Sequence, residues 1–277
     1  MKTENESIEN EEEKSLSSSI NNSIENENDE KELNKNVIKK NNNLFILQKI
    51  EIKSNEEKNK ILSEIKKLNL IDSKYILKVE KYSIEKEEEK EIAYIYINYY
   101  KNNLEKIIYE LNFLNSRIIW KIFFQLLLGL QSLHLNNILI KYFDAKNIFL
   151  DNENNIKLGG IFKFLHFSEE NEYFLEEEEI DENSNVFSLG CILYELVLKK
   201  KPNKNLPFDF YTKNCEDEYK IILSKLLCYE KNRLSLNKIL LEPIIKKIII
   251  KNNLFDEIIK DKIKSKNKFL ILFFRFL

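Results

Sequence analysis

The chain has 277 residues, 43% of them hydrophobic, enough to bury the core of one large domain or two smaller lobes. Its 44 basic and 46 acidic residues leave a formal charge of −2, so no global field argues for nucleic acid or an anionic membrane surface as partner. Cys191, Cys215 and Cys228 lack the spacing of a zinc or redox centre; the N-terminus has no signal-like apolar run, and no stretch approaches the ~20 apolar residues of a membrane span.

These features predict a reducing, cytoplasmic or nuclear location. Only four glycines and three prolines occur in a chain rich in Lys, Asn, Ile and Glu. Runs of Asn, Lys and Glu therefore carry little information, whereas each Gly, and the single Trp, is expected to answer a need of backbone or core.

Residues 1–36 are acidic and rich in Ser, Asn and Glu, with isolated Ile and Leu. Such a composition cannot offset the entropy of ordering, so a disordered tail is expected there. From Leu44 the pattern changes. Residues 44–52 read as a strand, and 58–70 carry Ile61, Leu62, Ile65 and Leu68 at helical spacing. Two β-rich runs follow, 75–83 and 92–99, separated by the charged insert EKEEEKE.

The second half reads as mainly helical. Asn115 or Ser116 caps a long helix over 117–136 with a broad apolar face. A short β pair is expected at 147–150 and 156–158, then helices at 185–197, 219–228, 234–240 and 244–250. The outline is α+β: a small sheet-rich lobe over about 37–100, a larger helical lobe over about 101–250, and a helical extension at 251–277.

The segment from Leu133 to Leu150, LHLNNILIKYFDAKNIFL, continuing through Ile156-Lys157-Leu158-Gly159-Gly160-Ile161-Phe162, resembles the catalytic and magnesium loops of protein kinases, LHxxxIxHRDLKxxNIFL…xIKLGDFG. Residues 185–196, NVFSLGCILYEL, look like the kinase helix SDVWSLGCILYEL, and Lys231-Asn232-Arg233-Leu234-Ser235 before Ile239-Leu240 is similar to the late RxS…IL element. The NIFL string and GCILYELVLKKKP lean toward the NIMA-related serine/threonine kinases. The resemblance implies a bilobal kinase-like fold over 37–250 with a reduced β-rich first lobe.

It also implies which residues stand where the chemistry is done. Phosphoryl transfer asks for positioned phosphates, magnesium and a base aligned with the acceptor. The base position is Tyr142, whose phenol, with an ordinary pKa near ~10, accepts protons poorly at neutral pH. The metal-aspartate position is Gly160, with no side-chain ligand, leaving Asn147 as a weak anchor for a hard cation. Asp144 reverses the charge of the loop lysine. Gln48 takes the strand-lysine position, with Lys49 on the opposite face, and Glu64 takes the helix position that would pair with it. There is no glycine before Gly129, so no glycine-rich loop can bring backbone amides to phosphates.

Several scaffold features are kept. Leu68, Ile140 and Ile161 suit an apolar spine, and Arg233 is expected to pair with Glu176, Glu177, Glu178 or Glu179. For Asn147 and His134 a local packing and hydrogen-bonding role is expected ahead of a catalytic one. Ile46, Gln48, Ile97, Phe149 and Ile161 are expected to surround a narrow or filled cleft, and the apolar end, FLILFFRFL at 269–277, to be either a docked helix end or an exposed patch for a partner. The expected function is that of a pseudokinase: no bound ATP or magnesium, and a scaffold or allosteric regulator acting through a protein partner, possibly an active kinase. The alternative is a serine/threonine kinase with residual activity.

Overall fold

The structure, a computed structural model, describes residues 37–40, 43–111, 114–140, 143–161, 181–202 and 215–255. The expectations for the tail 1–36, for Tyr142, for the carboxylates of 176–179 and for 269–277 concern positions outside the described residues.

Four antiparallel strands form the first sheet: β1 (Val37–Lys40), β2 (Asn43–Ile52), β3 (Val79–Glu87) and β4 (Lys90–Asn98), in the order β1-β2-β4-β3. The alternation in β2 sets its faces, because successive side chains of a strand point to opposite sides. Ile46, Gln48 and Ile50 lie opposite Ile97, Ile95 and Ala93 of β4. That face receives helix α1 (Asn55–Leu70), which buries Ile61, Ile65 and Leu68 at helical spacing. Ser54 caps the helix by accepting from the Glu57 amide, and Glu57 accepts in return from the Lys53 amide.

The far end of α1 is tied to the sheet. Asn69 exchanges two hydrogen bonds with the backbone of Val79, and the Lys78 ammonium donates to the carbonyls of Leu68 and Ile71.

Two expectations in this lobe need correction. The charged insert does not stand between the strands but belongs to both: Glu85-Lys86-Glu87 and Lys90-Glu91 are strand residues, with Lys86 opposite Glu91 and Glu87 opposite Lys90. Opposite charges facing each other across a hairpin are compatible with pairing, and Glu88 takes the turn at φ 53°. The strand expected at 75–83 starts only at Val79. Residues 75–77 instead pair with the second lobe, Leu77 N–H donating to Leu158 O and Leu158 N–H to Tyr75 O.

The second lobe is built around α3 (Ser116–His134), which starts where Asn115 accepts from the Ile118 amide and buries 14 of its 19 residues. Such a helix is buried almost all round. Trp120 is fully buried, stacked on Tyr219 at 4.6 Å and edge-on to Phe123 at 5.6 Å. Around it stand α4 (Glu182–Leu198), α5 (Asp217–Leu226), α6 (Leu236–Leu240) and α7 (Pro243–Lys251). These helices lie within a few residues of the expected spans.

A three-stranded sheet, β5-β6-β7, closes the lobe boundary. Its strands are β5 (Asn102–Asn103), β6 (Ile148–Leu150) and β7 (Ile156–Leu158). Strand β5 and the helix that follows it, α2 (Leu104–Glu110), carry no sequence signal long enough for a periodicity to register. Gly129 sits where α3 meets β7: a β-carbon there would lie 2.6 Å from Leu158 Cδ1.

Candidate functional site

The site lies at the junction of the lobes, between β2 and β4 above and β6, β7 and their flanking loops below. From above, Ile46 and Ile97 face each other across the strands and are 8% and 0% exposed. From below, Phe149 is 7% exposed and stacks on Tyr100 at 6.1 Å. Burial is the main cause that pushes the Tyr100 phenol up to about 12, with Asp151 and Glu80 adding to it. Ile161 is also buried.

Gln48 is half-buried on the same face as Ile46, and Lys49 is on the other. The Lys49 ammonium stands 4.9 Å from the centre of the Tyr94 ring and 3.5 Å from its hydroxyl. Glu64 is half-buried on α1, and among the described residues it makes no ion pair. Burial raises its carboxyl above the usual range, with Lys60 and Lys67 pulling it back. No strand cation stands at position 48 to stabilise its charge.

In the loop before β6, Asp144 is 2% exposed and Asn147 is fully buried. Asp144 Oδ1 accepts from the Asn147 main-chain amide at 3.0 Å and from Asn147 Nδ2 at 2.9 Å. Asp144 thereby caps the 3₁₀ turn 145–147. The Asn147 carbonyl in turn accepts from the Gly159 amide at 2.8 Å, which brings the two loops together. Gly160 follows at φ 64°, in the left-handed region where a residue without a β-carbon is unstrained. It supplies no side-chain ligand atom beside Asn147.

Asn185, at the start of α4, is fully buried. It receives the Ile140 amide on Oδ1 at 3.0 Å and donates Nδ2 to the Ile140 carbonyl at 2.8 Å. His134 Nε2 is 3.2 Å from the same Oδ1, and the main effect, burial, lowers the imidazole pKa. The loop is therefore held at Ile140 by a side-chain amide from the large-lobe helix. A buried Asn in a helix otherwise so apolar is the signal that would have pointed to this clamp.

Arg233 is half-buried. Its guanidinium donates to the carbonyls of Asn183 and Cys228 and lies 4.9 Å from the centre of the Phe187 ring. Among the described residues no cluster of His, Cys, Asp and Glu could hold a metal ion. No described helix is long and apolar enough to cross a membrane.

A small sheet lobe and a helical lobe, with the β6–β7 pair at their boundary, are what a kinase domain requires, and residues 32–249 match the protein kinase domain family. The chain belongs to the protein kinase family. This kinase domain is 32% identical over 109 residues to the probable serine/threonine-protein kinase nek2 of Dictyostelium discoideum, covering 34% of this chain and 26% of that protein. It is 26% identical over 133 residues to the eIF-2-alpha kinase GCN2 of Arabidopsis thaliana, covering 37% of this chain and 11% of the relative. The chain thus matches about a quarter or less of either relative's length.

Proposed function

We propose that this kinase domain does not transfer phosphate and acts as a pseudokinase, a scaffold or allosteric regulator working through a protein partner, possibly an active kinase. The observation that carries the reading is the pair of loops at the site. Gly160 brings no carboxylate where a magnesium ligand is required, and the Asp144 carboxylate is turned onto Asn147 as a cap. A hard divalent cation is held by several oxygens in a fixed geometry, and a glycine beside a capped asparagine does not fit that need.

The nucleotide side supports the same reading. Gln48 carries no charge to attract phosphate, and Ile46, Ile97 and Phe149 are buried between the lobes. Apolar walls of this kind close on each other more readily than they hold water. General acid–base catalysis alone contributes ~10²–10⁴-fold, and metal and phosphate clamps several kcal/mol more. A domain without these groups keeps the surface of a kinase for recognition and loses the rate.

The test is a melting curve with millimolar ATP, with and without magnesium. A ligand present at about 100 times its Kd stabilises by about 2.7 kcal/mol, a readily measured rise in Tm. No shift is expected. A magnesium-dependent rise would favour the alternative of a serine/threonine kinase with residual activity.

A further inference from the structure

The face of the first sheet turned away from α1 carries apolar side chains that lie outside the hydrophobic core of the described residues. Ile38 of β1 lies opposite Phe45 of β2, and Leu47 lies opposite Tyr96 of β4. All four are half-buried, and none belongs to the hydrophobic core or packs against it. Three exposed lysines edge this row. Lys40 stands 5.7 Å from the centre of the Tyr96 ring, Lys49 stands over Tyr94, and Lys81 lies opposite Tyr96 from β3. None of the three has a carboxylate partner among the described residues. A face of this kind suits a segment that is acidic and carries scattered apolar side chains.

Such a segment is attached to the same sheet. Residues 1–36 hold eleven carboxylates and four lysines, net −7, with Ile8, Leu16, Ile20, Ile24 and Leu33 spaced among them. Since the whole chain has a formal charge of −2, residues 37–277 carry +5. The segment joins at Val37, the first residue of β1, which is the edge strand of that sheet. From β1 to β3 is three strand spacings, ~14 Å, and 36 residues reach many times that distance at up to ~3.5 Å each. A tether of this length holds its charges near the face at an effective concentration on the order of millimolar.

We propose that the acidic segment 1–36 docks in cis on the Ile38–Phe45–Leu47–Tyr96 face, its carboxylates meeting Lys40, Lys49 and Lys81. This is independent of whether the domain transfers phosphate.

The experiment uses the full chain at low ionic strength, treated with a zero-length carbodiimide that joins lysine to carboxylate, with the monomer fraction mapped by peptide mass spectrometry. Links from carboxylates within 4–32 are expected to concentrate on Lys40, Lys49 and Lys81 and to fall several-fold in half-molar salt. Leu47→Asp, which leaves all three lysines in place, is expected to reduce the Lys40 and Lys81 links, with a melting curve confirming that the variant is folded. Links spread evenly over the lysines of both lobes, or no links to these three in the unmodified chain, would overturn the proposal. So would links found only between chains when ¹⁴N and ¹⁵N protein are mixed, which would assign the face to a second copy.

Discussion

Replacing Asn185 with Leu removes a clamp while keeping the volume close to that of the native side chain. The native amide satisfies both the N–H and the C=O of Ile140, a residue that is 0% exposed, and also meets His134. Leucine meets none of these groups. Leaving a buried donor or acceptor without its partner costs about 1–3 kcal/mol, so two orphaned backbone groups imply a loss of about 2–5 kcal/mol after partial relaxation. The apolar side chain recovers a little of this through burial. A urea titration followed by tryptophan fluorescence reads the change, since Trp120 sits in the same lobe and is fully buried. A midpoint within about 0.5 kcal/mol of the wild type, inside the range of neutral surface changes, would refute the claim that Asn185 holds the loop.

Gly190→Ala is expected to destabilise by about 1 kcal/mol by the same titration. The new β-carbon would lie 2.7 Å from Leu227 Cδ2 and 2.8 Å from Leu226 Cβ, and overpacking of about 1–3 kcal/mol exceeds the gain of about 1 kcal/mol in helix propensity. The pH profile of thermal stability has a signed shape. Burial lowers the Lys78 pKa to about 8 from 10.5, so the unfolded chain binds more protons between those values and this group's contribution rises with pH across them. Tyr100 and Tyr219 are pushed up to about 12 from 10.0, so their contribution is complete below 10 and is lost as pH climbs towards 12. Stability measured from pH 8 to 12 should therefore rise and then fall, and Lys78→Met should flatten the rising limb. Gly160→Asp places a side chain at φ 64°, which costs about 1–2 kcal/mol, and no magnesium-dependent ATP shift is expected from it because Gln48 is unchanged and Asp144 still caps Asn147.

Most of the helical lobe is legible in the sequence because its signals are long and mutually consistent. Asn115 caps where it was expected, and Ile118, Ile122, Phe123 and Leu126 recur at the helical period. The acidic hairpin was less legible, since its pattern is one of charge rather than apolarity. Glu85 to Glu91 carries no apolar alternation to mark it as strand, yet Lys86 and Glu91 face each other across two strands. Strand β5 and helix α2 are too short for periodicity to reveal. At the site, the resemblance to the kinase loops put Asp144, Asn147 and Gly160 in adjoining loops, and the Gly159–Asn147 hydrogen bond brings those loops together. What spacing could not supply was direction. That Asp144 turns back onto Asn147, and that Asn185 reaches Ile140 from 45 residues away, depends on backbone paths that no local pattern encodes.

Phosphoryl transfer itself is the most direct measurement. The chain is incubated with γ-labelled ATP at millimolar concentration, with magnesium and separately with manganese, and label is counted both on the chain and on a general serine/threonine acceptor protein. No incorporation above a heat-denatured control is expected with either metal. Incorporation that persists through purification and is lost in Asp144→Asn would contradict it.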